Sequence, residues 1–284
     1  MDSVLKTENL SYKYAVGTPF EKTAVDGVSF AIKKGEFVSI IGHTGSGKST
    51  LVQMLNGLIK PTTGKVFLNG SDIWKEPKKI RHIRFKVGMV FQYPEYQLFE
   101  ETVAKDIAFG AKNMGLSERE IQQRVKSSAE FVGLDESLLE KSPFELSGGE
   151  KRRAAIAGVI AMNPEVLILD EPTAGLDPMG RELLLSQIKN YHDMQKNTVL
   201  FVSHSMEDVA KISDRVLVMN NGKTEYFDTP EKVFSQDEPL NRMGLKIPQI
   251  TQIMNTLAEK GYPVNKGVLT IDKAVSELLA VLKP

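Results

Sequence analysis

Cysteine is absent from this chain of 284 residues, which excludes a disulfide framework and any metal site built from thiolates. Its absence fits a reducing compartment. Neither sign of charge is in excess, because Lys plus Arg and Asp plus Glu each number 36. A protein that binds nucleic acid through a broad basic surface is therefore disfavoured, and we expect no nucleic-acid partner.

Long hydrophobic runs are also missing. No stretch of about eighteen apolar residues occurs, so we expect no membrane-spanning helix. The N-terminal stretch MDSVLKTENL lacks the apolar segment of a signal peptide. We therefore expect a cytosolic protein that works at a membrane only if another chain holds it there.

Short apolar runs bounded by turn residues predict an α/β fold. Alternation between residues 4 and 40 predicts antiparallel strands that lead into one buried strand, FVSIIG. From about residue 95 to 163 the spacing is helical, as at Ile121, Val125, Ala129 and Val132. Other predicted elements are the strands VGMVFQ (87–92), EVLILDE and TVLFVSH, the helix GRELLLSQIKNYHD, and a hairpin with an NNG turn, DRVLVMNNGKTEYFDT.

The C-terminal part reads as a separate extension. A main domain is predicted over 1–235, and a polar linker, SQDEPLNRMGLKIP, follows it. The extension, 240–284, holds two amphipathic helices, QITQIMNTLAEKGY and DKAVSELLAVLKP. Helical spacing gives the first of these helices an apolar stripe, which consists of Ile250, Ile253, Met254 and Leu257. The stripe can pack on the chain's own main domain or on a partner's tail. We favour the partner's tail, which makes the extension a dimerisation element.

A glycine-rich loop, GHTGSGKST at 42–50, lies between a predicted strand and a predicted helix. It matches the pattern G-x-x-x-x-G-K-S/T, in which backbone N–H groups curl around phosphates. Lys48 reaches the β and γ phosphates, and the Ser49 hydroxyl can bind Mg²⁺. Nucleotide binding is therefore predicted for the whole loop: Gly42, His43, Thr44, Gly45, Ser46, Gly47, Lys48, Ser49 and Thr50.

Polar side chains end three of the predicted strands, where open α/β sheets bind ligands. Asp170 can join the Mg²⁺ shell, and Glu171 can orient or deprotonate an attacking water. His204 can contact the γ-phosphate, and Gln92 can offer its amide oxygen to Mg²⁺ or to the water. The alternatives are a surface turn for the two acids and a structurally satisfied histidine at a strand end.

A second candidate anion site is LSGGE at 146–150. Ser147 and Glu150 form the S-x-x-E pattern of a capping box, and EKRRAAIAGVIAM continues as a helix. With Gly148 and Gly149, its N-terminus can bind an anion, although a capping box alone is ordinary structure. Because the first loop already holds one nucleotide, the second site makes sense if it closes over a nucleotide held by another copy.

In this order, the motifs GHTGSGKST, VFQ, LSGGE, VLILDE, AGLD and LFVSH resemble those of ATP-binding cassette ATPases, over roughly residues 4–235. The resemblance implies a P-loop NTPase fold with a RecA-like core, an antiparallel β-subdomain, a helical subdomain at about 95–163 and a small C-terminal helical extension. It also implies a head-to-tail dimer in which ATP and Mg²⁺ lie between one phosphate loop and the partner's LSGGE. Asp177 resembles the residue of the loop that links the two sites. Tyr14 resembles the aromatic that stacks on adenine, with Tyr12 as its rival.

The segment FQYPEYQLFEETVAKDIAFG is similar to the ATPases of energy-coupling factor transporters and of their cobalt or nickel relatives. GHTGSGKST with YAVGTPFEKTAVDGV resembles the second of the two ATPase paralogues of those vitamin importers. This implies a heterodimer with a paralogue on the cytoplasmic face of the membrane, under a membrane T-component that carries a substrate-binding S-component. A groove for a helix of the T-component is then expected at Tyr93, Tyr96, Leu98 and Phe99, with core packing as the alternative.

The function implied is ATP hydrolysis coupled to transmembrane uptake of a vitamin or another micronutrient. A cobalt or nickel importer ATPase is one alternative. Another is a soluble cassette ATPase that acts on DNA or ribosomes, but such proteins usually carry two cassettes or a long coiled-coil insertion. A nucleotide-switched scaffold without turnover is disfavoured by the presence of Glu171 and His204.

Overall fold

Two β-sheets and a set of surrounding helices make up the computed structural model, which describes residues 3–282. The strands within that range are β1 (Ser3–Tyr14), β2 (Lys22–Lys33), β3 (Phe37–Ile41), β4 (Thr63–Leu68), β5 (Ser71–Asp72), β6 (Val87–Val90), β7 (Val166–Asp170), β8 (Thr198–Val202), β9 (Arg215–Asn220) and β10 (Lys223–Asp228). The helices are α1 (Lys48–Leu55), α2 (Ile80–Lys86), α3 (Val103–Asn113), α4 (Glu118–Phe131), α5 (Gly148–Ile160), α6 (Pro178–Gln195), α7 (Met206–Ile212), α8 (Pro230–Phe234), α9 (Asp237–Arg242), α10 (Gln249–Glu259) and α11 (Ile271–Leu282).

The larger sheet has the strand order β10-β9-β3-β8-β7-β6. The strands from β9 to β6 run parallel, and β10 pairs antiparallel at one edge. Every residue of β3, β7 and β8 is buried, as expected of a parallel sheet covered on both faces. The carboxyl ends of these strands therefore share one edge, which confirms the predicted placement of the motifs that follow them.

The smaller sheet is antiparallel, with the order β2-β1-β4-β5. It confirms the strands predicted between residues 4 and 40. The turn between β9 and β10 is also as predicted, because Asn221 and Gly222 both have positive φ, at 47° and 80°. Positive φ at both central residues is the requirement of a type I′ hairpin turn.

A helical layer follows β6. Along α4 the buried residues Ile121, Val125 and Ala129 pack in one cluster with Ile107 of α3 and Ala157 of α5. The predicted helical spacing is thus confirmed, and Val132, also buried, lies directly after α4 ends. Among residues 3–282, no helix is both long and apolar enough to cross a membrane.

Two predicted strand-end residues lie beyond the strands. β6 ends at Val90 and β8 ends at Val202, so Gln92 and His204 lie in the loops that follow. Their exposed polar side chains need room, which the close pairing of a buried parallel strand does not provide. Both residues still lie at the carboxyl edge of the sheet.

The segment predicted as a linker contains α9 and four buried residues, Leu240, Leu245, Ile247 and Pro248, so it is not a polar spacer. Leu240, Leu245 and Ile247 pack in a cluster with residues of α7 and β9. These apolar side chains hold the segment on the main domain, because removing their surface from water is favourable.

The predicted tail stripe is divided between two surroundings. Met254 is fully buried within the tail, with Val268 and Ala274, because α11 covers that side of α10. The prediction that Met254 contacts a partner is therefore wrong. Ile250 and Leu257 also pack on this cluster. Ile253 remains 54% exposed. Residues 1–2 and 283–284, the outer ends of the two predicted domains, lie outside the described residues.

Candidate active site

The phosphate loop connects β3 to α1 and is closely packed at two glycines. Gly42 and Gly47 have φ of 158° and 101°. A Cβ on either would overlap a backbone carbonyl oxygen, that of Met219 at the first and that of Ala24 at the second. Only glycine allows the loop to lie this close to its neighbours, and the loop keeps its N–H groups at the start of α1, where an anion is favoured.

Lys48 is the first residue of α1, and its side chain is buried. Its Nζ donates hydrogen bonds to the carbonyl oxygens of Gly42, at 2.8 Å, and of His43, at 3.2 Å. Burial lowers the pKa of Lys48, while the nearby carboxylates of Glu171 and Asp170 act against that change. The ammonium is thus held next to the loop, where a phosphate can take over its hydrogen bonds.

Asp170 ends β7 and is only 5% exposed. Burial raises its pKa, and hydrogen bonding from the Ser49 hydroxyl lowers it. Its buried Oδ1 has no hydrogen-bond partner. An unpaired carboxylate oxygen beside a hydroxyl fits a hard divalent cation such as Mg²⁺, which takes oxygen ligands. Within residues 3–282 no three acidic, His or Cys side chains form a metal site by themselves.

Glu171 is mostly buried, with 12% of its side chain exposed, and has a left-handed backbone, with φ of 53°. A non-glycine residue in that region costs about 1–3 kcal/mol, and such strain is concentrated at functional sites. His204 Nε2 lies 3.0 Å from Glu171 Oε1, although Oε1 accepts no well-aligned hydrogen bond. Burial raises the pKa of Glu171 to about 7, with Lys48 opposing the change. A carboxyl group with such a pKa can exchange a proton near neutral pH.

His204 is half exposed beside this carboxyl group. Burial lowers its pKa, and the positive charge of Lys48 lowers it further. Both effects favour the neutral imidazole, which can donate one N–H to a phosphate oxygen.

Lys48, Glu171 and His204 line one open cavity of about 370 Å³, whereas the buried Asp170 does not line it. Its lining confirms that the predicted loop, glutamine, glutamate and histidine come together; the lining residues are Tyr14, Lys22, Ala24, Thr44, Gly45, Gly47, Lys48, Ser49, Thr50, Gln92, Glu171 and His204. Gly42 and Ser46 also belong to the loop, but they are buried and do not line this cavity. His43 lies on its other side, where it lines a neighbouring cavity with the 244–252 segment of the tail.

Tyr14 lies at the mouth of the cavity and is 42% exposed. Its hydroxyl is 3.1 Å from Thr50 Oγ1, and its ring stands edge-on to Tyr12, with centroids 4.8 Å apart. Tyr12 packs instead on the core of the smaller sheet. Lys22, opposite Tyr14 in the β1–β2 hairpin, was missed in the sequence, since only the register of that hairpin brings it here.

The second predicted anion site is at the N-terminus of α5. The capping box is confirmed: Ser147 N donates to Glu150 Oε2 at 2.7 Å, and Glu150 N donates to Ser147 Oγ at 3.4 Å. A Cβ on Gly148 would meet nothing within 4 Å, and one on Gly149 would meet only a nitrogen of Arg153, at 3.8 Å. No close packing within the chain requires these glycines, so they leave room for a group from outside.

This second site lies in a different cavity, of about 430 Å³, lined by Ser147, Gly148, Gly149 and Asp177 among others. Asp177 caps α6, where its Oδ1 accepts a hydrogen bond from Gly180 N at 2.8 Å. None of the residues that line the first cavity lines the second. One chain therefore presents two separate candidate anion sites.

Known proteins are similar to this chain over nearly its whole length. The sequence model of the family described as ABC transporter matches residues 25–174. The energy-coupling factor transporter ATP-binding protein EcfA2 of Caldanaerobacter subterraneus subsp. tengcongensis is 54% identical, with 98% of each chain covered. The protein of the same name from Clostridium tetani is 56% identical, with 98% of this chain and 96% of the relative covered.

Solved structures agree with these relatives. The structure of cbiO1 from Clostridium perfringens, part of the ABC transporter complex cbiONQ, matches with a TM-score of 0.76 and 40% identity, covering 90% of this chain and 100% of that one. The dimeric bacterial ABC transporter cassette MJ0796 matches with a TM-score of 0.72 and 30% identity, covering 80% and 98%. Similarity at this level means that the chain belongs to the energy-coupling factor transporter ATP-binding proteins, which are ATPases of the ABC transporter family.

Proposed function

We propose that this chain hydrolyses ATP in the 370 Å³ cavity to power uptake of a vitamin or another micronutrient through a separate membrane protein. The observation that carries the chemistry is the meeting of Lys48, Glu171 and His204 in that cavity, with the carboxylate of Asp170 near enough to act on the pKa of Lys48 and of Glu171. The names of the relatives, energy-coupling factor transporter ATP-binding proteins, support the transport role.

Phosphoryl transfer depends mostly on positioning and on charge stabilisation. Lys48 and the N–H groups at the start of α1 hold the phosphates, and Tyr14 stacks on the adenine. Ser49, Gln92 and Asp170 would hold Mg²⁺, which when bound neutralises phosphate charge.

Glu171 takes the proton of the attacking water, for which a pKa of about 7 suits it at neutral pH. The neutral His204 donates a hydrogen bond to the γ-phosphate, close to that carboxyl group. The second anion site, from the partner chain, stabilises the phosphate charge that these residues do not neutralise.

The composite site forms when Ser147, Gly148 and Gly149 of one chain close over the nucleotide of its partner. Two observations support this arrangement: the two cavities are separate within a chain, and the glycines of the second open to solvent. The dimeric structures of the similar cassette MJ0796, one of them bound to ADP and Pi, fit it as well. We propose a paralogous ATPase as the partner.

An aromatic patch follows Gln92 and is the proposed docking surface for the membrane T-component, through which a substrate-binding S-component is reached. It consists of Tyr93, Tyr96, Phe99 and Phe109, which are all exposed, and Tyr96 is 85% exposed. Phe109 on α3 was missed in the sequence, and its ring meets that of Phe99 edge-on at 5.0 Å. Leu98 packs on the helical cluster, as the alternative of core packing expected.

Docking there would place the chain at the cytoplasmic face of the membrane as a peripheral subunit. The test is co-purification of the membrane subunit with Tyr96→Asp/Phe109→Asp, against the exposed control Phe20→Asp. We expect the double variant to lose the membrane subunit and to keep ATP binding, because the patch lies outside the nucleotide cavity. Retention of the membrane subunit by the double variant would show that the patch is not the docking surface.

The similarity to cbiO1 favours one second candidate, an ATPase of a cobalt or nickel importer. ATPase assays with each partner complex separate the two candidates. Stimulation by a metal-specific complex, and not by a vitamin-specific one, would select the second. A soluble cassette ATPase would co-purify with no membrane subunit at all.

A further inference from the structure

Arg152 is a buried cation that none of the roles above uses. It lies in the second turn of α5, five residues after Ser147, and is only 4% exposed. Its Nε and Nη2 donate to Oε2 and Oε1 of Glu95, at 3.1 and 2.7 Å. Its Nη1 donates to the carbonyl oxygens of Pro172, at 3.2 Å, and of Ala174. One guanidinium thus joins three segments of the chain.

Each of the three segments carries a functional group. Pro172 and Ala174 belong to the loop that directly follows Glu171, whose backbone is left-handed. The helix that bears Arg152 begins at the second anion site. Glu95 lies in the short turn Pro94–Gln97, between Gln92 and the rest of the aromatic patch. Arg152 is therefore the one described side chain that bonds all three.

The chemistry of the junction is specific to a guanidinium. Its planar fork satisfies both oxygens of Glu95 and still has donors left for two carbonyl groups. A lysine ammonium keeps the positive charge, but it cannot donate in these fixed directions at once. Glu95 supplies the counter-charge that a buried cation requires, so it holds Arg152 in place.

We propose that Arg152, held by Glu95, is a positioning residue that fixes the loop after Glu171 relative to α5. The inference rests on the proposed function, in which Glu171 serves the chain's own nucleotide and the start of α5 serves the partner's nucleotide. Through this junction the base of one site and the anion-binding helix of the other keep a fixed relation within one chain. A displacement of the turn that contains Glu95 would therefore move both the loop after Glu171 and the start of α5.

The test uses the chain assembled with its partner ATPase, and the probe is ATP. Arg152→Lys removes the fork and keeps the charge, and Glu95→Gln removes the counter-charge and keeps the shape. Glu136→Gln breaks the solvent-exposed pair with Lys126 and is the matched control. We expect both junction variants to lower kcat by about tenfold to a hundredfold, as misplacement of a catalytic group by about 1 Å does, with KM for ATP within about threefold of wild type.

The Tm of each variant separates positioning from folding. A fall in kcat with an unchanged KM and an unchanged Tm in at least one junction variant supports the proposal. It is overturned if Arg152→Lys and Glu95→Gln turn over ATP like the control, or if kcat falls only in step with Tm in both. Gly149→Asp, measured alongside, tests the composite site separately: hydrolysis unaffected by that change contradicts the proposed function, whatever the junction variants do.

Discussion

Replacing Glu171 with glutamine should make the nucleotide-free chain more stable while it removes hydrolysis at the site that this residue serves. Burial raises the pKa of Glu171 from 4.5 to about 7. Between these pH values the folded chain holds a proton that the unfolded chain releases. The stability contributed by the protonated carboxyl group is thus complete below pH 4.5 and is lost as pH rises through about 7.

The size of the effect follows from about 1.4 kcal/mol for each pKa unit. The protonated Glu171 contributes at most about 3 kcal/mol of unfolding free energy that is lost between acid and pH 8, and a glutamine at this position, which cannot ionise, does not lose it. For a chain of this length the gain corresponds to a rise in Tm of about 5 °C at pH 8 and to none at pH 4. Hydrolysis at this site should fall by about 10²–10⁴-fold, with ATP binding retained.

Thermal unfolding of wild type and variant at pH 4, 6 and 8, with a parallel ATPase assay, measures both effects. The control is Glu182→Gln, whose side chain is exposed on α6 and pairs only with Lys211. In an assembly with a paralogue, the partner's own site sets the residual rate of hydrolysis. An equal Tm for wild type and Glu171→Gln at pH 8, or a rise that does not depend on pH, would refute the assignment of a buried, proton-holding carboxyl group.

Three further outcomes are expected. Gly149→Asp should leave ATP binding by the lone chain unchanged and prevent ATP-induced dimers, because a carboxylate would occupy the position of the partner's γ-phosphate; loss of ATP binding by monomers in equilibrium binding assays would place that site in cis. Tyr14→Ala should weaken ATP binding by about 1–3 kcal/mol, as loss of one base-stacking contact does, whereas Tyr12→Ala should mainly lower Tm; the reverse pattern would assign the adenine to Tyr12. Val275→Asp, on the exposed face of α11, should weaken nucleotide-free dimers in sedimentation; unchanged dimers would show that this face is not the interface.

A point substitution at Val275 is preferable to removal of the tail, because the segment predicted as a linker is buried on the main domain. Truncation near residue 240 looks harmless if the following segment is a linker, but Leu240, Leu245 and Ile247 are buried on the main domain. Such a truncation would expose a core cluster. A point change on an exposed helix face tests dimerisation without that damage.

Local patterns predicted the parts of the site that are continuous in the chain. The phosphate loop, the acidic end of β7 and the capped start of α5 are each encoded within about ten residues, by turn, capping and burial rules. The parallel sheet then brings the first two of these to one edge. What remained hidden depends on contacts between distant segments: Lys22 through a hairpin register, Phe109 through packing on Phe99, and Arg152 through Glu95, which is 57 residues away.

The left-handed backbone of Glu171 belongs to the same group of features. No short pattern marks it, because its φ of 53° results from the loop being held on both sides. Its N–H donates to Val202 O at 3.1 Å, its own carbonyl accepts from Ala174 N at 3.1 Å, and the carbonyl of Ala174 in turn accepts from Arg152. Tertiary contacts override local preference at the residue to which we assign the base.

The central claim is that hydrolysis at Glu171 drives uptake through a membrane subunit. Its most direct test is ATP-dependent uptake of a radiolabelled vitamin into proteoliposomes that contain the complete assembly, with wild-type chain or with Glu171→Gln. We expect uptake that requires ATP for the wild type, and at least a tenfold lower rate for the variant although it still binds ATP, because a general base is lost. Uptake by Glu171→Gln at the wild-type rate would contradict it.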